Sequence, residues 1–443
     1  MALLVSFIFF LLSILSVVLF LKPSPNNLPP GPFSWPIIGT LLPKLKKQPH
    51  VELSKLAQRF GPLMLLKFGV EPVVVASSHV AAVEVLKNQD RLLSGRFAPH
   101  SVRIKGYIEH SMVWADCTDY WKMVRKVWRT ELFSTKMLDI QAHAREEKVS
   151  ELMKFLIRKE GEKLMILAAI PNLADLYPIL GGSDFQGLRK ASAACVKRMN
   201  ESWAAIVKQR RKNDDHSKND FLQVLLDSGF SDPQIDAMLL QETFGPGSDT
   251  STSTIEWAMA ELLRNPEKLV KVREELDRVI RRSNNVKESD LPNLPYLHAC
   301  VKETLRLHPP VTFLLPHRAM ETCQMMNYTI PKGCQLMVNT YAIGRDSKTW
   351  EKPLSFLPER FLNSELDYQG NDFQYIPFGA GRRICPGLSL ATRVVRLILA
   401  SLLHTFDWSL PDGMHPDELD MNDKFGLALQ KDIPLVVIPK LRK

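Results

Sequence analysis

The sequence predicts a mainly α-helical fold with small β-sheets (α+β), a catalytic domain standing behind an N-terminal transmembrane anchor. Three observations carry that expectation. Ala2–Leu21 is an unbroken uncharged run rich in Leu, Val, Ile and Phe. Long stretches with apolar residues at helical spacing follow it, several of them opened or closed by proline. Short β-branched runs lie between these, too brief to build more than small sheets.

The opening run comes first. At about 1.5 Å per residue it spans roughly 30 Å as a helix, enough to cross the hydrocarbon core of a bilayer. A cleaved secretory signal would have a basic start and a shorter apolar stretch, and neither is present here. Lys22, Lys44, Lys46 and Lys47 lie on the C-terminal side, and positive flanks stay in the cytosol. The expected organisation is a single-pass anchor at 1–21, a hinge at 22–36 and a cytosolic domain over 37–443. The hinge carries Leu-Pro-Pro-Gly-Pro-Phe-Ser-Trp-Pro at Leu28–Pro36, a stiff spacer because proline fixes φ and resists helix.

Within the body, Trp121–Arg129 alternates basic and apolar residues at helical spacing. Pro233–Arg264 reads as one very long helix, started at Asp232-Pro233 and ended by Asn265-Pro266. Pro266–Ile280 and Pro295–Leu307 read as two more. Strands are expected at Leu63–Phe68, Val73–Ala76 and Leu336–Asn339, with a C-terminal pair near Leu427–Leu429 and Leu435–Ile438. Lys208–Lys218 reads as a solvated loop.

Composition narrows the function classes. The 443 residues hold 57 Lys+Arg against 48 Asp+Glu, a net charge of +9, and are 45% hydrophobic and 24% charged. That is a folded globular make-up. The six cysteines (117, 195, 300, 323, 334 and 385) contain no C-x-x-C pair, which excludes a disulfide scaffold and a zinc ribbon. The positive charge is mild and dispersed, suited to a membrane surface or an acidic partner, and no nucleic-acid partner is expected.

The strongest chemical signal is Phe378-Gly-Ala-Gly381-Arg-Arg383-Ile-Cys385-Pro-Gly387. Glycines on both sides of Cys385 let the backbone fold tightly around the sulfur and aim N–H groups at it. Phe378 can shield one face, and Arg383 supplies a cation for a nearby acidic group. A thiolate held by amide donors beside a cation is what a haem iron needs on its proximal side.

At these residues the sequence resembles the cytochromes P-450, the haem-thiolate monooxygenases. The resemblance runs from the anchor to the C-terminus and implies their fold, a haem cofactor (iron protoporphyrin IX) and Cys385 as the metal ligand. Further motifs agree. Glu303-Thr-Leu-Arg306 and Pro358-Glu-Arg360-Phe361 match the family's buried ion network, a structural support for the cysteine loop. Trp121-Lys-Met-Val-Arg125 matches the helix whose Trp and Arg bind a haem propionate. His317, in Pro316-His317-Arg318, lies where the family places another propionate donor. The cofactor-binding set is therefore Trp121, Arg125, His317, Phe378, Arg383, Cys385 and Gly387.

The distal side is expected at Gly245-Pro-Gly-Ser-Asp249-Thr250-Ser251, where Asp249 and Thr250 match the family's acid and threonine that relay protons to dioxygen. The family usually has Ala or Gly where this chain has Pro246. Proline lacks the N–H that would bond the Glu242 carbonyl, so the helix is expected to open one turn before Asp249. A second departure is length: between Gly161 and Pro171 the family normally carries several tens of residues that are missing here. An inactive haem-binding protein is therefore a competing reading.

The resemblance is nearest to the plant microsomal branch acting on benzylisoquinoline alkaloids. It implies an endoplasmic-reticulum enzyme with NADPH–cytochrome P-450 reductase as partner at a basic face around Lys122, Lys126, Arg129 and Arg382, and dioxygen and a small aromatic alkaloid as substrates. Asn172–Pro178 and Asp184–Gly187 resemble the roof of that branch's pocket. The remaining walls are expected at Val102–Met112, Phe244–Thr250, Val311–Leu315 and Phe425–Leu427. Pro246 tips the expected reaction towards oxidative C–C phenol coupling of a reticuline-like diphenol, with hydroxylation of a benzylisoquinoline as the alternative.

Overall fold

A computed structural model describes residues 27–40, 47–104, 107–150, 184, 186–213, 220–281 and 284–442. The expected anchor, the 161–171 junction and the roof segment at 172–178 lie outside these residues.

Helix α1 (Pro49–Phe60) leads into strands β1 (Leu63–Phe68) and β2 (Glu71–Ala76), an antiparallel pair. A short helix α2 (His79–Val83) widens into a π-wound turn at Glu84–Asn88, and β3 (Gly95–Arg96) follows. Next come α3 (Asp119–Val127), α4 (Thr135–Ile140), α5 (Ala142–Ser150), α6 (Leu188–Asn213), α7 (Phe221–Asp227) and α8 (Asp232–Asp236). The long helices α9 (Gly245–Arg264), α10 (Pro266–Val279) and α11 (Pro295–Leu307) precede β4 (His317–Arg318), β5 (Cys323–Met325), β6 (Tyr328–Ile330) and β7 (Gln335–Val338). The chain closes with α12 (Thr340–Ile343), α13 (Leu388–Thr405), β8 (Phe406–Ser409), β9 (Asp423–Lys424), β10 (Gln430–Lys431) and β11 (Ile438–Leu441).

The largest sheet has the order β1-β2-β7-β4-β3, with β2 and β7 parallel. Val73, Val74, Val75 and Ala76 are all buried, as a strand covered on both faces requires. The main core lies between α9, α10, α11 and α13, where Ala258, Leu262, Val272, Leu276, Leu297 and Leu399 are buried. Among the described residues α13 is long and apolar enough to cross a bilayer. Its Leu397, Leu399, Ala400 and Leu403 are instead sealed in this core, as in an interior helix.

The α+β reading and the proline-bounded helices α10 and α11 match the sequence expectation to within a residue. The very long helix does not run as one α-helix. Ser231 caps its start with Gln234, Ala237–Phe244 is π-wound, and α pitch resumes at Gly245. Nor does the chain open before Asp249. Pro246 falls in the first turn after the π segment, where its missing N–H costs least. Thr243 adds a hydroxyl bond to the Met238 carbonyl, 2.7 Å, within the wide turn. The C-terminal strands are also displaced from their expected places and do not pair together. β10 pairs with β9 and β11 with β8, because Phe425–Leu429 forms the tip of a hairpin instead of a strand.

Candidate active site

Cys385 sits at the end of a tight hairpin. Its N–H donates to the Phe378 carbonyl at 2.9 Å, and Gly379 (φ 71°) and Gly381 (φ 66°) take the left-handed conformation that the turn needs. A Cβ on Gly381 would stand 2.2 Å from the Leu86 carbonyl oxygen, so only glycine lets the hairpin dock on the helix after β2. Arg382 holds that contact by pairing with Asp90 at 2.9 Å. Gly387 caps α13, where a Cβ would come into contact with the Cys385 sulfur and the Phe133 ring at 3.9 Å, and the Phe378 ring packs edge-on against Tyr368 at 5.6 Å. Burial pushes the Cys385 thiol up from its usual value, opposed by the N–H groups of Gly387 and Leu388 and the guanidinium of Arg125.

Beside the hairpin the structure gathers cations onto neutral acceptors. Arg383 donates to the carbonyls of Ser94 (3.1 Å), Met112 (3.2 Å) and Ala115 (2.6 Å), and lies 4.7 Å from the Trp121 ring centroid. Arg125 donates to the Ile384 carbonyl and also lies over Trp121, at 5.9 Å. The N–H of Trp121 is spent on the Met112 carbonyl at 2.8 Å, so its ring, not its donor, serves this cluster. His317 is buried with Nδ1 2.7 Å from the Leu93 carbonyl, and burial followed by the charge of Arg96 pushes it down to about 3.

Arg96 is the member that sequence reasoning missed. It is buried on β3, donates from Nη1 to the Leu315 carbonyl at 2.5 Å, and leaves Nε without a partner. Burial, then the nearby charges of Arg383 and Arg125, push it down to about 9. Its signal in the sequence was modest: it is the only charged residue between Leu92 and Val102 apart from the titratable His100. Buried guanidiniums that raise one another's energy, with one donor unsatisfied, are suited to receive an anion. The propionates of a haem are such anions, so these residues fit the group.

Glu303, Arg306 and Arg360 meet in one ion network. Glu303 takes two bonds from Arg306 (2.7 and 2.8 Å), one from Arg360 (3.0 Å) and one from the Leu357 N–H (2.8 Å). Arg306 spends its remaining donors on the carbonyls of Gly344, Pro353 and Ser355. On α9, Thr250 donates its hydroxyl to the Pro246 carbonyl at 2.7 Å, and Asp249 is half-buried beside it. The pocket walls meet in part. Phe313 and Phe425 rings contact at 5.8 Å, Leu315 packs with Val102, Tyr107 and Trp114, and Leu314 lies against Gly379 of the hairpin. A cleft of about 500 Å³ opens between Arg96, Arg103, Glu109, Trp114, Asp116 and Arg318.

The cytochrome P-450 family profile matches residues 29–169 and 161–436. The chain belongs to the cytochrome P-450 family. These enzymes bind haem and draw electrons from a redox partner. At full length the chain is 48% identical to (S)-N-methylcoclaurine 3'-hydroxylase isozyme 1 of Eschscholzia californica, covering 99% of both chains. It is 46% identical to corytuberine synthase of Coptis japonica (97% of both) and 44% identical to berbamunine synthase of Berberis stolonifera (98% of both). Among solved structures, a zebra fish cytochrome P-450 with progesterone superposes with a TM-score of 0.74 at 25% identity, covering 89% of this chain and 99% of that one.

The alignment with the Eschscholzia hydroxylase runs to 485 positions, longer than this 443-residue chain, so the relative carries residues with no counterpart here. The family profile also matches in two pieces that meet at 161–169, inside the stretch where the sequence lacks its expected segment.

Proposed function

We propose that the chain is a membrane-anchored haem-thiolate oxidase that joins the two phenol rings of a reticuline-like benzylisoquinoline through a C–C bond. The relatives corytuberine synthase and berbamunine synthase, 46% and 44% identical over nearly the whole chain, support the class. The observation that carries the reaction type is the π-wound segment ahead of Gly245-Pro246, beside the acid–threonine pair. Single π-wound turns inside α-helices are frequent at functional sites.

In this reading Cys385 holds the iron while Arg96, Arg125 and Arg383 hold the propionates; His317, whose Nδ1–H serves the Leu93 carbonyl, joins them from Nε2 as the imidazolium that a propionate beside it stabilises. The haem, when bound, supplies the activation of dioxygen. Asp249 and the Thr250 hydroxyl pass protons inward, and the Pro246 carbonyl fixes the rotamer of that hydroxyl. Coupling removes two phenolic hydrogens and forms one C–C bond. Two electrons from the substrate and two from the reductase reduce dioxygen to two waters. The anchor at 1–21 places the domain on the cytosolic side of the endoplasmic reticulum, beside NADPH–cytochrome P-450 reductase.

Hydroxylation is the second reading, favoured by the 48% identity to a hydroxylase and by the intact bond from Thr250 to Pro246. Incubation with reticuline under labelled dioxygen separates the two. A product two hydrogens lighter and free of label supports coupling, whereas one labelled oxygen atom in the product overturns it. A protein with no carbon monoxide difference band would be an inactive family member.

A further inference from the structure

We propose that Ser253 and Trp257 of α9 are positioning residues that hold three walls of the substrate pocket in register through the backbone of Leu429. This rests on reading the space beside the Cys385 hairpin as that pocket.

Leu429 ends the hairpin tip between β9 and β10. Its N–H donates to the Pro310 carbonyl at 2.8 Å. Its carbonyl receives two donors from α9: the Ser253 hydroxyl at 2.5 Å and the Trp257 indole N–H at 3.0 Å. A carbonyl oxygen has two lone pairs, so two donors fill it and fix its direction. One residue thereby ties α9, the turn at Pro310 and the hairpin tip together.

Trp257 is fully buried, and its other contacts serve the same junction. It stacks on His308 at 3.9 Å with the planes 4° apart, and His308 holds Glu261 of α9 at 2.7 Å. The Lys431 ammonium, just past Leu429, stands 4.9 Å from the indole ring and is itself fixed by the Asp420 carbonyl. From Pro310 the chain runs straight into Phe313, against Phe425, then Leu314 against Gly379, then Leu315 against Val102 and Trp114. A shift of Leu429 therefore reaches the wall beside the cysteine hairpin without touching Cys385, and meets the cation cluster at one point, the Leu315 carbonyl that accepts from Arg96.

The test uses full-length haem-loaded protein and two iron-binding probes. Imidazole is small enough to reach the iron past displaced walls, whereas 4-phenylimidazole must fit between them. Ser253→Ala removes one donor; Trp257→Phe removes the other while keeping a ring on His308; Ser253→Thr keeps the hydroxyl. Spectral titration is expected to show 4-phenylimidazole weakened about fivefold by Ser253→Ala and further by Trp257→Phe, imidazole unchanged, and Ser253→Thr restored. The carbon monoxide band should keep its position throughout. Equal shifts for both probes, no shift for either, or a Ser253→Thr protein as weak as Ser253→Ala would overturn the proposal. If Trp257→Phe does not load haem, the two Ser253 variants decide alone. Wild-type protein that binds 4-phenylimidazole but gives no shift with reticuline would overturn the substrate reading, while the probe pair still judges the clamp.

Discussion

Cys385 is a thiol whose burial favours the neutral form, while two backbone N–H groups and Arg125 pull it towards the anion. A bound cation would settle that contest in favour of thiolate, as for any metal-ligating cysteine. Cys385→Ser is expected to abolish the thiolate-type carbon monoxide band. A band that survives in this variant and disappears in another cysteine variant would refute the assignment. Arg96 offers a different test because it belongs to the arginine cluster proposed to hold the propionates and not to the sulfur's surroundings. Arg96→Ala should speed haem loss to an apoprotein acceptor while leaving the band position unchanged, since the axial ligand is untouched. Haem release at the wild-type rate would remove Arg96 from the set. The two residues differed in how readily the sequence disclosed them. Cys385 announced itself through glycines at fixed positions, a local pattern. Arg96 joins the cluster through burial beside Arg125 and Arg383, which are 29 and 287 positions away in the sequence, and no local pattern encodes that proximity.

At the scale of elements, α11 and the 357–361 turn are joined through Glu303, which is fully buried and shared by two arginines that do not contribute equally. The Arg306 side chain is sealed, whereas that of Arg360 keeps 12% of its surface exposed. Removing Glu303 strands the sealed guanidinium, a loss of about 3–5 kcal/mol, a large part of the stability of a typical domain. Glu303→Ala should therefore fail to accumulate haem-loaded protein. Arg360→Ala leaves Glu303 its Arg306 partner and should cost about 1–3 kcal/mol, seen as an earlier thermal loss of the haem band. Equal losses in the two variants would contradict this ranking. The helices α10 and α11 were legible because proline at their first turns and apolar periodicity act locally. The π-wound segment was not, because both windings present similar apolar spacing over eight residues. The C-terminal strands were misplaced for a related reason. Ala428 and Leu429 are buried at a hairpin tip with Leu427 half-buried beside them, an apolar run that a strand would also show.

For the whole molecule, the disposition of apolar surface bears on how the domain meets a membrane. Phe33 (68% exposed), Trp35 (53%) and Ile38 (55%) leave the hinge uncovered, and the bridge between Gly39 and Phe68 brings Val70 of the β1–β2 turn alongside. Phe33 and Trp35 pack edge-on at 5.4 Å, so they present one surface rather than scattered side chains. Single exposed apolar residues are ordinary, but a contiguous group with a tryptophan, a few residues after the expected anchor, suits the interfacial zone of a bilayer. Attachment should then have two parts. Deleting residues 1–26 is expected to weaken binding to phospholipid vesicles in a flotation assay while leaving the carbon monoxide band intact, because the cysteine hairpin and the arginine cluster are built from residues after β1. The truncated domain should still float in part. Adding Phe33→Ser and Trp35→Ser should remove that remainder, and at high salt as well as low, since the contact is apolar and is not screened. Truncated protein that stays at the bottom of the gradient would show that the patch does not meet lipid. Loss of haem on truncation would show that the first residues belong to the fold.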